Sequence, residues 1–307
     1  MNNPYISKVT GPVIPLPVPF KEDQSVDLDS LSNYVKFLVD NGIPNVMTTV
    51  GTSRYNLLTW DEMKAVNETV VNAAAGKINT IVANPTTGGV HAAIDFGKHA
   101  QSIGADFYLV YFPERHYGDD NTYAFYKEIT DHVSTPILIH EMPMRNGMGP
   151  GTVQYSIDLL HRLLDIETIV GLKEEALDPE YSNEVLKAAV DKSVIIGAGG
   201  GMSRYLQRDY PLGAKAFLGG IGNFVPSLEL EFFEAITSGN QSRAEKIVND
   251  IELPLFADTV PIGWHPSLKG MLSILGLLPK YERKPMKQLS EDEMAHLKAA
   301  LARNQWI

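Results

Sequence analysis

Apolar residues fall into short runs along this chain, and between the runs they recur every three to four positions. Runs rich in Val and Ile occupy residues 13–18, 45–50, 79–83, 107–111, 136–141, 168–173, 193–197 and 216–219. Several are nearly continuous, the pattern of strands buried on both faces. The intervening stretches 28–39, 60–75, 90–103, 122–132, 152–164, 179–190 and 203–210 carry helical spacing. In 28–39, Leu31, Tyr34, Val35, Leu38 and Val39 share a face; Asp27 stands where an N-cap belongs and Asn41-Gly42 where a helix stops.

Eight strand-then-helix repeats imply parallel strands joined by right-handed crossovers. Their number predicts an α/β fold of the (β/α)8 TIM-barrel kind with a C-terminal helical segment. A doubly wound sheet is the rival, but its glycine fingerprint is missing from the first turn, Pro17-Val18-Pro19-Phe20. After Pro226 the strand signal stops, and 228–237, 241–253, 266–275 and 291–303 read as helices. The expected organisation is a barrel over residues 1–229 and a helical domain over 230–307 packed on it, with no low-complexity linker between them.

Charge and composition narrow the function. The net charge of -11 repels nucleic acid, and no Lys/Arg block compensates locally. The absence of cysteine excludes disulfides, thiolate catalysis and Cys-ligated zinc. Residues 1–9 hold no apolar signal core, and no run of about 18 apolar residues occurs, so a cytoplasmic protein without membrane association is expected. In so acidic a chain an anionic substrate needs a local cation, which gives weight to each Lys or Arg near a strand end.

Barrel enzymes build their sites at the C-terminal ends of the strands. That rule selects Thr52 and Ser53 after strand two, His140-Glu141 at strand five, Lys173-Glu174 at strand six and Gly197 at strand seven. Lys173 follows the apolar Ile169-Val170-Gly171-Leu172. Burial disfavours an ammonium, and a free amine there can attack a ketone to form an iminium. The competing reading is an ion pair with Glu174 or Glu175. Small hydroxyls such as Thr52 and Ser53 can hold a carboxylate, or cap the next helix. Gly199–Gly201 reads as an anion-approach loop or a plain turn. His91, His99 and His265 show no metal spacing, and no metal or cofactor is called for.

Four segments in order carry a family resemblance: GPVIPLPVPFKEDQSVDLDSL near the start, GLKEEALD around Lys173, GAKAFLGGIGNFVP with Asn223 and Pro226, and RKPMKQLSEDE near the end. The chain resembles the dihydrodipicolinate synthase / N-acetylneuraminate lyase superfamily of class I aldolases and dehydratases over nearly its whole length. The resemblance implies a Schiff base on Lys173, a keto-acid carboxylate held at Thr52 and Ser53, a pocket lined by Gly197 and Leu218, and Arg145 on the carboxylate of a second substrate. A surface pairing of Arg145 with an acid such as Glu114 is the alternative. It also implies a homotetramer or homodimer.

Three departures stand out. The Gly-Glu that follows the hydroxyl pair in the family is absent, the chain reading Arg54-Tyr55-Asn56-Leu57 and running about one residue short. The tyrosine that relays protons at strand five is replaced by His140, in IHEMPMRNG. The PYYN-like stretch reads YFPERHYGDD, so Glu114 and Arg115 replace aromatics and Tyr111 and Tyr117 fall out of register. Imidazole can relay protons in either direction near neutrality. The leading expectation is a lyase that makes or breaks a carbon–carbon bond next to a pyruvate-derived enamine. A dehydratase of a 2-oxo-3-deoxy sugar acid through the same lysine is the alternative, and a non-catalytic keto-acid binder the third reading.

Overall fold

In the computed structural model, which describes residues 3–307, eight strands close into one parallel barrel. They are β1 (Gly11–Pro15), β2 (Asn45–Thr48), β3 (Asn79–Ala83), β4 (Phe107–Val110), β5 (Ile137–Glu141), β6 (Ile169–Glu174), β7 (Val194–Gly197) and β8 (Ala216–Leu218). Their order is β1-β8-β7-β6-β5-β4-β3-β2, as successive right-handed crossovers generate. Side chains on one strand face fill the barrel and those on the other meet helices, so β5 and β6 are buried at every position. All eight predicted strands exist; β1 starts at Gly11, ahead of its apolar run.

Contacts group the chain into two compact units. One joins the residues up to Val13 with Asn79–Leu218, and the other joins Ile14–Ile78 with Gly219–Ile307. In the first, β5 and β6 pair with His140 opposite Lys173 and Glu141 opposite Glu174, after a register shift between Ile137 and Leu138. Gly171 permits the close approach of β7, because a Cβ there would stand 2.2 Å from the Val194 carbonyl.

Three helices of this unit differ from expectation, the one expected over 122–132 starting three residues earlier as Asp119–Thr130. The stretch predicted as helix 152–164 begins only at Ile157, where the Ser156 hydroxyl accepts from the Leu159 N–H at 3.0 Å. Thr152–Val153 instead pairs antiparallel with Met144–Asn146, beside Arg115–His116, in a three-stranded sheet that helical periodicity could not reveal. The expected helix 203–210 starts at Gly201 and widens into a π turn over Tyr205–Asp209. That turn carries the buried Asp209 back to the guanidinium of Arg204.

In the second unit, Leu28–Asp40 buries Leu31, Tyr34, Val35 and Leu38, and the Asp27 side chain accepts from the Ser30 N–H at 3.1 Å. Trp60–Ala74 opens with a reciprocal capping box between Thr59 and Glu62. The predicted helix 241–253 is α-helical over Gln241–Ile247, widens into a π turn over Val248–Glu252, and resumes as Leu253–Thr259. Pro254 has no N–H to donate to the preceding turn, and the wider turn accommodates that loss. Among the described residues, no helix is long and apolar enough to cross a membrane.

Candidate active site

Strand β6 ends its apolar run in Lys173 and Glu174. Successive strand residues face opposite sides, so Lys173 and Glu175 share one side and Glu174 takes the other. The wholly buried Glu174 carboxylate accepts from the Ala176 N–H and the Ser182 hydroxyl, each at 2.9 Å, and pairs with Arg204. Arg204 also donates through Nε to Asp209 at 2.9 Å and through its guanidinium to the Ala198 carbonyl. Burial pushes the Asp209 carboxyl up, against the opposing charges of Arg204 and Arg208. This buried lattice fixes the backbone on both sides of the Lys173 strand end.

On the other side, Lys173 and His140 are 3% and 4% exposed. Lys173 Nζ lies 2.8 Å from His140 Nε2. Glu175 Oε2 lies 2.8 Å from the same Nε2 and forms an ion pair with Lys173. His140 Nδ1 has no partner among the described residues, so the polar contacts of this ring are made through Nε2. The Tyr111 ring packs edge-on against His140 at 4.4 Å between centroids, and Asn84 holds the Tyr111 backbone, its Oδ1 accepting the N–H at 2.8 Å.

The electrostatics follow from this arrangement. Burial, then the charge of Lys173, drives the His140 imidazole down to about 4, with Glu175 partly offsetting both. The ring is uncharged at neutral pH. Burial pushes the Glu175 carboxyl up, but Lys173 and His140 together outweigh it and hold the group well below the usual carboxylate range. Glu141, on the opposite face of β5, is pushed up to about 8 by burial and then by Glu174.

The remaining sequence-selected residues stand as follows. Thr52 and Ser53 are buried in the short turn Gly51–Ser53 of the second unit. The Ser53 hydroxyl donates to the Leu16 carbonyl at 2.6 Å. Arg54, left-handed at φ +58°, donates to the Thr52 carbonyl at 3.0 Å and pairs with Glu282 at 2.6 Å, both side chains 4% exposed. Gly197 lies at the end of β7, where a Cβ would sit 1.7 Å from an Asp209 carboxylate oxygen. Leu218 ends β8 half-buried. Arg145 lies on the short strand Met144–Asn146, its side chain 52% exposed and Nη1 3.9 Å from Glu114. Tyr117 is exposed. Among the described residues no group of acidic or histidine side chains could hold a metal ion.

In sequence Glu175, like Glu174, is only a candidate ion-pair partner of Lys173. The signal for more was the period of two, since Lys173 and Glu175 stand two apart at a strand end and therefore face the same way.

A buried lysine in contact with a titratable partner at the C-terminal end of a parallel-barrel strand is the arrangement of a Schiff-base enzyme. The chain matches the Dihydrodipicolinate synthetase family over residues 8–304 and belongs to it. That family is one of class I, Schiff-base aldolases, and this chain is one of its lyases. Its sequence is 29% identical over 300 residues to a 4-hydroxy-tetrahydrodipicolinate synthase of Aquifex aeolicus, covering 95% of this chain and 96% of that protein. A dihydrodipicolinate synthase structure from Aquifex aeolicus aligns with a TM-score of 0.80 at 28% identity, over 96% of this chain and 98% of that one. An N-acetylneuraminate lyase from Mycoplasma synoviae has the same fold, with a TM-score of 0.84 at 22% identity over 98% and 99% of the two chains.

Proposed function

We propose that this lyase acts on pyruvate or a related 2-oxo acid in an aldol addition or cleavage, with Lys173 forming the iminium and His140 relaying protons. The observation that carries the reading is the 2.8 Å contact between Lys173 Nζ and His140 Nε2 inside a buried strand end. The amine adds to the 2-oxo carbon and expels water, and the resulting iminium draws electrons from C3. Loss of a C3 proton gives an enamine, which attacks an aldehyde; the reverse sequence cleaves the product. An imidazole uncharged at neutral pH is ready to accept a proton in this sequence. On the family resemblance we assign the keto-acid carboxylate to Thr52 and Ser53, the latter turning its hydroxyl from the Leu16 carbonyl to the substrate, and pocket-lining positions to Gly197 and Leu218.

Dehydration of a 2-oxo-3-deoxy sugar acid through the same lysine is the second reading. Arg145, the residue proposed for a second substrate's carboxylate, is half exposed and stands 3.9 Å from Glu114. That position argues against an acceptor with its own carboxylate, and both dehydration of one sugar acid and aldol addition to a neutral aldehyde meet this condition. A turnover assay separates the two. Release or consumption of pyruvate with a panel of aldehydes and sugar acids supports the aldol reading. Loss of water from a sugar acid without carbon–carbon cleavage supports the second. A homotetramer or homodimer in the cytoplasm completes the proposal, and light scattering that gives a monomer at micromolar concentration contradicts the assembly.

A further inference from the structure

We propose that Glu175 is a catalytic residue, joined with His140 into one acid–base unit that takes the C3 proton from the iminium and returns it to the developing oxygen. This inference rests on the Schiff-base reading of Lys173. Its geometric basis is a single shared corner. Glu175 Oε2 contacts both the His140 Nε2, at 2.8 Å, and the reacting nitrogen of Lys173. Among the described residues Glu175 and Lys173 are the side-chain partners of His140 Nε2, and its Nδ1 has none. Glu175 is one-third exposed, with 32% of its side chain open, whereas His140 and Lys173 are closed off. Of the three groups it is the one through which a proton can pass between the buried ring and solvent or substrate.

The charge on the Lys173 nitrogen sets the direction of transfer. In the iminium the nitrogen is positive, and a neighbouring positive charge favours the deprotonated forms of Glu175 and His140. The pair is then a base. It takes a proton from C3; the C–H electrons become the C2–C3 double bond, and the C2–N π electrons return to nitrogen. The enamine nitrogen is neutral, the opposing charge is gone, and the protonated pair is now an acid. In an aldol addition the enamine carbon attacks the aldehyde carbon, the iminium is regenerated, and the proton goes to the alkoxide. In a dehydration the enamine expels the C4 hydroxyl, which leaves with that proton as water. Either sequence consumes no net proton and needs no co-reactant beyond the substrate. The charged and titratable groups around the pair in this unit are Lys173 and Glu174 of β6 and Glu141 of β5, with the Tyr111 ring edge against His140. Of these, only Lys173 changes its charge during the reaction as proposed.

The test is a half-reaction that needs no second substrate: exchange of the C3 hydrogens of pyruvate with deuterium from D2O, followed by NMR across pH, in the full-length protein. Glu175→Gln is expected to form the borohydride-trapped pyruvate adduct yet exchange about 100-fold or more slowly, the usual scale of general acid–base assistance. Glu175→Asp, which retains the carboxylate but retracts it, is expected to lose about tenfold or more. Because Glu175 raises the basicity of His140, the acid limb of the residual exchange should move to lower pH in Glu175→Gln, a shift that a purely structural carboxylate would not produce. Exchange by Glu175→Gln within a few-fold of the parent overturns the proposal, and if that variant does not fold, an unchanged rate in Glu175→Asp does so. A parent protein that forms no adduct at all overturns the Schiff-base reading instead.

Discussion

His140 and Lys173 are register partners on adjacent parallel strands, and Nε2 of one lies 2.8 Å from Nζ of the other. The contact is set by backbone pairing rather than by loop conformation, so it belongs to the rigid part of the barrel. His140→Phe should leave the amine able to form a pyruvate adduct while slowing turnover at least about 100-fold. In the parent protein, activity that depends on neutral imidazole should fall as pH drops through about 4, where buried His140 protonates. A pH–rate profile checks this; an acid limb near ~6.5, the value of an unperturbed imidazole, contradicts the burial argument.

Glu141 gives a stability prediction of opposite sign. Its carboxyl is raised to about 8 in the folded protein from a reference of 4.5, by burial first and Glu174 second. Below the unfolded value the group is neutral in both states and costs nothing. As pH rises toward 8 the unfolded chain releases the proton first, so stability falls by an amount on the order of a few kcal/mol. Glu141→Gln should therefore gain in melting temperature relative to the parent at pH 8, with the gain shrinking toward pH 5. Thermal melts at both pH values test it, and a pH-independent difference contradicts it.

Gly197→Ala distinguishes packing from substrate contact at the end of β7. The new Cβ would stand 1.7 Å from an Asp209 oxygen and 3.2 Å from Arg204 Nε. Relief requires moving a buried ion pair, for which overpacking costs of about 1–3 kcal/mol are usual. Urea unfolding should show that loss, whereas a position that only lines a pocket would leave the midpoint unchanged.

Arg54 and Glu282 form a buried pair in which Arg54 also holds the Thr52 carbonyl. Lys269 Nζ stands 3.5 Å from the other Glu282 oxygen. Arg54→Ala leaves a buried carboxylate with a weaker partner and should cost about 3–5 kcal/mol. Replacing both members, Arg54→Met with Glu282→Leu, should cost less than the single change, because no charge is stranded. Denaturant unfolding of the two variants gives the comparison, and equal losses would show that the ion pair is not what stabilises this turn.

The barrel was legible in the chain because its strands are continuous apolar runs and its sites obey a positional rule, so Lys173 and His140 could be selected before any contact was known. The short strand Thr152–Val153 was not, since two residues carry no period and the pairing with Met144–Asn146 is made across a turn. The π turns at Tyr205–Asp209 and Val248–Glu252 were likewise invisible, because apolar spacing does not distinguish them from α-helix. Of the candidate site, residue identity showed where titratable groups lie but not which atoms meet. Glu174 and Glu175 look equivalent in sequence, yet one is committed to Arg204 and the other to Lys173 and His140. In sequence Arg54 marks only where the family's Gly-Glu is absent. Its partner Glu282 lies far along the chain, and such a distant pairing leaves no local signal.

The proposed reaction rests on a covalent Schiff base between the Lys173 amine and a 2-oxo acid. Incubation with pyruvate and borohydride, followed by intact mass and peptide mapping, measures this directly. One reduced pyruvate adduct per chain is expected, located on the peptide that carries Lys173 and absent from Lys173→Ala. No adduct in the parent protein, or an adduct that persists in Lys173→Ala, would contradict it.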